Sequence, residues 1–135
     1  MSDLIILDTS VLVDDLRSGC HRERIASLSG LVRNSAVVLA ELWRGAATQA
    51  DREFLRALGK NHPVLTPTEG NWLESGQILG KMCPERGYTA DRLRDLHFDV
   101  LIALTARSHG ARLITSNRAD FEMIHRHCKF QLELW

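Results

Sequence analysis

Leu4-Ile5-Ile6-Leu7 is a run of four apolar residues that stops abruptly at a carboxylate, Asp8. A run this short, with apolar residues at every position rather than at alternate ones, is the pattern of a strand buried on both faces, as strands of parallel sheets are. Further strand-like segments follow at Leu31–Ser35, Pro63–Leu65, Arg112–Thr115 and Phe130–Leu134, each separated from the last by helical text. Strands alternating with helices predict an α/β chain in which helices cover both faces of a mainly parallel sheet. Ligands of such sheets bind beyond the carboxyl ends of the strands. The residues that leave each strand therefore matter most.

The helical segments are read from apolar spacing and terminal signals. Asp8-Thr9-Ser10 offers N-cap residues for a helix over Val11–Arg17, which Ser18-Gly19 ends. A short helix over His21–Leu28 runs to Gly30. Ala36–Ala47 places Val38, Leu42 and Ala46 four residues apart, and Asp51–Leu58 puts Phe54, Leu55 and Leu58 opposite Arg52, Glu53 and Arg56. Glu69–Lys81 is read as helix in spite of three glycines, with a break at Pro84–Gly87. Thr89 caps a long helix, Ala90–Ser108, closed by Gly110, and Asn117 starts a helix that reaches His125.

Composition narrows the classes of function. The 135 residues suit one domain, residues 1–135, and 17 basic residues balance 17 acidic ones, so composition gives no support to nucleic-acid binding through bulk positive charge, and any such binding would need a local patch. Arginine outnumbers lysine 14 to 3, which suits forked phosphate contacts but equally fits a base-composition bias. Cys20, Cys83 and Cys128 are odd in number and widely spaced, without a C-x-x-C pair, which argues against a disulfide framework or thiolate zinc site and for a reducing cytoplasm. Met1-Ser2-Asp3 lacks the basic start of a signal peptide. The longest apolar runs, Ala36–Ala40 and Val100–Leu104, are five residues each, so no membrane span is expected.

Four acids stand where their neighbours do not explain them. Asp8 interrupts an apolar stretch at a strand end, where capping the next helix is the simple alternative. Glu41 interrupts AVVLA-E-LW, with Arg44 at i+3 as an ordinary surface partner. Asp99 lies in HFDVLIALTA, beyond reach of the helix dipole and with no basic residue at i±3 or i±4, whereas Asp91 sits in the first turn and Asp95 has Arg92 three residues away. Asp120, in ITSNRADF, follows a strand end and also fits the N3 place of a capping box begun by Asn117. Other acids, Asp14, Asp15, Glu23, Asp51, Glu53, Glu74 and Glu85 among them, read as solvated. A parallel sheet would bring the four together, and their repulsion would force protonation unless a hard divalent cation held them.

At these residues the chain resembles PIN-domain proteins, and among them VapC-type ribonuclease toxins of bacterial toxin–antitoxin modules. The resemblance rests on LDTSVLVD at Leu7–Asp14, VVLAELWRGA at Val37–Ala46, DVLIALTARSHGARLITSN at Asp99–Asn117 and NRADF ending at Phe121. It implies a three-layer α/β/α sandwich and an acidic site of Asp8, Glu41, Asp99 and Asp120 holding Mg2+ or Mn2+. Thr9, Ser10, Thr115 and Asn117 are implied as polar neighbours of that site. Ser116 departs from the arginine that similar toxins often carry there, so Arg118 or Arg112 is expected to meet substrate phosphate instead. The resemblance further implies RNA hydrolysis by a metal-activated water leaving a 5′-phosphate and a 3′-hydroxyl, a homodimer, and silencing by a VapB-type antitoxin. Trp43 and Trp72 are candidate anchors for such interfaces, with core packing as the plain alternative.

Rival readings are weaker. An aspartate-phosphorylating hydrolase needs a second Asp two residues after the first, where Ser10 stands, and the six histidines show no acid–base spacing. His125-x-His127-Cys128 is read as a polar helix end because borderline metals need further ligands. A catalytically silent PIN scaffold that only binds an antitoxin or a DNA-bound complex is the alternative from a different class.

Overall fold

A computed structural model describes residues 3–82 and 87–135. The described elements are β1 (Leu4–Leu7), α1 (Thr9–Ser18), α2 (Arg22–Ala26), β2 (Leu31–Ser35), α3 (Ala36–Arg44), α4 (Gln49–Asn61), β3 (Val64–Leu65), α5 (Glu69–Met82), α6 (Ala90–Ser108), β4 (Arg112–Thr115), α7 (Arg118–His125) and β5 (Gln131–Leu134). The expected chain break at Pro84 and the side chains of Cys83 and Glu85 lie outside the described residues. Every expected element is present. The differences are at their ends.

Local chemistry explains those differences. The helix read from Asp51 starts at Gln49, because Thr48 accepts from the Asp51 backbone N–H at 3.1 Å while the Asp51 carboxylate accepts from the Thr48 N–H at 3.1 Å, a reciprocal cap. The helix read through Ala47 stops at Arg44, where Gly45 N–H turns back to the carbonyls of Glu41 and Leu42. Helix α1 begins at Thr9, directly against Asp8, instead of at Val11. Strand and helix are thus joined by a single residue.

The sheet has the order β3-β2-β1-β4-β5, and all four neighbouring pairs are parallel. Alternation along the strands divides the core. Ile6 and Leu113 face a large cluster built with α3, α4, α5, α6 and α7, while Ile5, Leu7 and Ile114 face a smaller one with Val11 of α1 and Ile25 of α2. Two helical layers with a sheet between them make the three-layer α/β/α sandwich that the strand pattern and the resemblance implied. Residues Val100–Ala106 of α6 are all buried, and a helix apolar on every side is one enclosed by other elements. Thr89 caps it by accepting from Arg92 N–H at 3.1 Å, and Gly110 follows its end with φ +63°.

The strand order sets the place for ligands. The chain runs outward from β1 through β2 to β3, then returns past β1 to β4, so the crevice where the connections diverge lies between the carboxyl ends of β1 and β4. No helix among the described residues is long and apolar enough to cross a membrane.

Entry into β2 depends on Gly30. Its φ is +143°, and a Cβ there would stand 2.5 Å from the Asp3 carbonyl oxygen, which itself accepts from Leu31 N–H at 2.8 Å. Gly30→Ala is expected to lower stability by about 2 kcal/mol through backbone strain and displacement of this contact. Urea unfolding of the variant against wild type measures it; an unchanged midpoint would show that the turn relaxes freely.

Candidate active site

Asp8 takes the first position after β1, and its backbone N–H donates to the Ile114 carbonyl at 2.9 Å, carrying the β1–β4 ladder one residue further. That bond fixes the carboxyl group in the crevice between the two strands. Its side chain makes no helix cap, so the capping explanation of Asp8 does not hold. Instead Ser10 Oγ and Thr115 Oγ1 donate to the same oxygen, Oδ2, at 2.7 and 2.8 Å. The other oxygen, Oδ1, is buried and has no partner. Burial raises the pKa of Asp8, and the two hydroxyls, followed by the backbone N–H groups of Thr9 and Ser10 at the start of α1, act against the rise.

Glu41 reaches the crevice from α3, where Thr9 Oγ1 donates to its Oε1 at 3.0 Å. Its pKa is raised first by burial, which the Thr9 bond opposes and the neighbouring charge of Asp8 reinforces. The surface ion pair expected with Arg44 is not the main contact of either group. Arg44 lies over the Phe98 ring at 5.7 Å and acts on Glu41 only as a more distant charge.

Asp99 arrives from the middle of buried α6. Burial, followed by the charges of Asp8, Asp120 and Glu41, pushes its pKa up to about 9. Those three neighbours come from three other elements, so the tertiary fold places all four acids in one electrostatic field. At neutral pH Asp99 keeps its proton and shares a hydrogen bond with Asp120. Asp91 and Asp95, the two other acids of this helix face, pair with Arg94 at 3.3 and 3.7 Å, and only the charge of Asp95 reaches the cluster, where it weakly reinforces the rise in the Glu41 pKa.

Asp120 is the exception within the cluster. Arg92 grips it with both arms of its guanidinium, Nη1 to Oδ2 at 2.9 Å and Nη2 to Oδ1 at 2.5 Å, and Asn117 Nδ2 donates to Oδ2 at 3.1 Å. The Arg92 bonds hold its pKa below the usual carboxylate range in spite of burial. Asn117 occupies the N-cap place of α7 without a side-chain cap bond, so the capping-box reading of Asp120 also fails. Sequence reasoning assigned Arg92 to Asp95 and missed this partner, which lies 28 residues away. No local signal could have found it.

The polar neighbours are divided by the fold. Thr9, Ser10, Thr115 and Asn117 all touch the acids, and Ser116 N–H donates to Ser10 Oγ at 3.2 Å. The Ser116 hydroxyl turns away to Asp14 at 3.0 Å, giving that acid a partner that the reading of a solvated face did not foresee. Arg112 requires correction. It opens β4 in register with Ile5 and Gln131, at the amino end of the sheet, and pairs with Asp3 at 3.4 Å and Glu133 at 3.5 Å. Both pairs hold the guanidinium at that end of the strand, away from the carboxyl end where the acids gather. Arg118 is exposed at the start of α7 and pairs with Glu122 at 2.8 Å. His125 binds the Phe130 carbonyl at 3.0 Å, in keeping with a polar helix end.

As they stand, no three or more acidic, histidine or cysteine side chains among the described residues form a group that could hold a metal ion. The donors nonetheless suit a hard divalent cation: they are all carboxylate oxygens, one of them is buried without a partner, and Asp99 is ionisable only at a high electrostatic cost. A groove of about 360 Å³ opens beside Thr9 and Glu41, walled by Leu16, Leu42, Phe54 and Leu55.

A parallel α/β sandwich with carboxylates converging at its topological switch point defines the class. The PIN domain family model matches residues 5–125, and the chain belongs to that family. Solved structures similar to it include VapBC-1 from nontypeable Haemophilus influenzae, 24% identical with 98% of each chain covered and a TM-score of 0.72. DNA-bound VapBC from Salmonella typhimurium is 23% identical over 100% of this chain and 99% of its own, with a TM-score of 0.70. VapC20 of Mycobacterium tuberculosis, described as a toxin that cleaves the sarcin-ricin loop, is 23% identical, with 82% of this chain and 86% of its own covered and a TM-score of 0.59. No curated protein matches the sequence significantly.

The strained protonation of Asp99 has a thermodynamic consequence. A carboxyl whose folded pKa is raised costs nothing below its unfolded value near 4 and costs progressively more as pH climbs toward about 9, because only the unfolded chain releases the proton freely. Asp99→Asn removes this penalty and retains a donor toward Asp120. In EDTA its Tm is expected to exceed that of wild type by about 5 °C at pH 8, with the gap closing toward pH 4. A gap independent of pH would show that Asp99 ionises normally.

Proposed function

We propose that the chain is a metal-dependent endoribonuclease of the VapC type, the toxin of a VapBC-like pair acting in the cytoplasm. The observation that carries this reading is the buried, unpartnered Oδ1 of Asp8, facing a cluster in which Asp120 alone is gripped by an arginine fork. A binding module gains nothing from an acid kept at such cost. A site for a divalent cation does.

Asp8, Glu41, Asp99 and Asp120 are the side chains that would hold Mg2+ or Mn2+. When bound, such an ion neutralises charge at a phosphodiester and lowers the pKa of water enough to make a nucleophile near pH 7. The chain's own groups prepare for it. Ser10 and Thr115 lock one oxygen of Asp8 and so orient the other, Thr9 orients Glu41, and the shared hydrogen bond holds Asp99 against Asp120. Asn117 steadies Asp120 from α7. Arg118, exposed at the same end of the molecule, is the remaining candidate of the two expected phosphate contacts.

The partner proposed is a VapB-type antitoxin, supported by the likeness to chains solved in VapBC complexes. The groove is lined by Glu41 and Thr9 at the edge of the acid cluster, and its apolar walls suit a docked segment of such a partner. Trp43 and Trp72 are 41% and 51% exposed, so neither is core, and both are available to an antitoxin or to a homodimer interface. A catalytically silent scaffold is the second reading, and the Arg92–Asp120 pair favours it because it occupies one of the four acids.

One assay separates the two. The purified chain is expected to cleave RNA with Mg2+ or Mn2+ and to stop in EDTA, whereas Asp8→Asn should lose at least about 100-fold in rate while keeping the wild-type circular dichroism spectrum. Cleavage that persists without metal, or a fully active Asp8→Asn, would overturn the nuclease site. No cleavage of any RNA by the wild type would leave the scaffold.

A further inference from the structure

We infer that Arg92 is an internal counter-ion that a divalent cation must displace from Asp120, so that this one side chain sets the affinity of the site for metal. The inference rests on the proposed metal site and goes beyond it by naming the group that competes for it.

The geometry has three parts. First, the fork of Arg92 uses both Asp120 oxygens at once, at 2.9 and 2.5 Å, and a forked arginine–carboxylate pair is the strong form of charged hydrogen bond. Second, Asp120 shares a hydrogen bond with Asp99 and accepts another from Asn117, which leaves little of its lone-pair capacity for a cation while Arg92 is in place. Third, Arg92 is not locked in. Its side chain is 38% exposed, against 12% for that of Asp120, so it approaches from the solvent side of a group that is itself sunk in the crevice.

Among the described residues, its other contacts are weaker: the Tyr88 ring at 5.8 Å, a cation–π arrangement at an exposed site, and the more distant charge of Asp99. The residue stands in the first turn of α6, whose cap is made by Thr89 through the Arg92 backbone, not through the guanidinium. The backbone is therefore fixed while the long side chain can swing outward. In this arrangement the guanidinium supplies the positive charge that faces Asp120. A divalent ion and Arg92 cannot both use Asp120 fully.

Arg92 is a positioning residue in this scheme, acting on metal through Asp120. A purely structural clamp between α6 and α7 would behave differently, since losing it would loosen Asp120 and weaken metal binding or leave it unaltered. The test is calorimetric titration of Mn2+ alone, without RNA, into the full chain and its variants. If the closed pair is populated about nine-tenths of the time, Arg92→Gln should bind Mn2+ about tenfold more tightly than wild type. Arg94→Gln, which removes the same charge two residues along but touches only Asp91 and Asp95, should stay within about twofold. In an Asp120→Asn background, Arg92→Gln should have no effect, the double-mutant cycle placing the coupling on this pair.

Should Arg92→Gln misfold, Arg92→Lys, which keeps the charge but loses the fork, is expected to tighten Mn2+ binding by a smaller factor. Wild type that binds Mn2+ with Arg92→Gln and Arg94→Gln shifted equally, or with Arg92→Gln unaltered or weaker, overturns the inference and leaves the nuclease reading standing. Wild type that binds no Mn2+ overturns both.

Discussion

The mutual repulsion of four carboxyl groups in one crevice is the constraint around which this structure is arranged. Each is brought there by a different device: Asp8 by the last bond of the β1–β4 ladder, Glu41 by α3, Asp99 by the buried α6 and Asp120 by α7. Burial raises the pKa of Asp8, Glu41 and Asp99 alike. Every compensation visible around the site answers that pressure, whether it is the hydroxyls on Asp8, the Thr9 bond to Glu41, the proton on Asp99 or the Arg92 fork on Asp120. These compensations differ in how permanent they are. The hydroxyls come from residues whose backbone is fixed at strand and helix ends, while the guanidinium comes from a long side chain at the rim.

The scaffold tolerates this arrangement because it is rigid where the site is strained. Helix α6 is enclosed along Val100–Ala106, and Asp99 sits at the near end of that enclosed stretch. Strands β1 and β4 are central in the sheet, so neither can shift to relieve a charge contact. A site carried by buried helix and central strand has little freedom to relax.

Reading the sequence recovered the order of elements, the parallel sheet and the positions of the four acids, because those features are written in short-range patterns. Apolar run lengths mark strands, and an acid inside AVVLA-E-LW or HFDVLIALTA is conspicuous against its own neighbours. The local explanations for Asp8, Glu41 and Asp120 did not survive, whereas Asp99, for which the sequence offers no local partner, has none on its own helix. Asp8 and Asp120 sit at positions where a helix cap is the common explanation, yet neither caps, since Thr115 and Arg92, at sequence distances of 107 and 28, claim them. Arg112 was a candidate to replace the arginine that similar toxins carry at the Ser116 position, but a strand has two ends, and Arg112 and Thr115 stand at opposite ones.

What the sequence by itself determined is the periodicity of burial: which segments become strands, which become helices, and which acids have no local reason to be where they are. Local pattern decides these things because hydrogen-bonded elements are built from residues within a few positions of one another. Only the tertiary structure decided which oxygen of Asp8 is left without a partner, which acid keeps its proton and which arginine faces the cluster. Those outcomes depend on distances between side chains far apart in the chain. Charges in a shared buried crevice act on each other through space, and sequence separation does not measure that space.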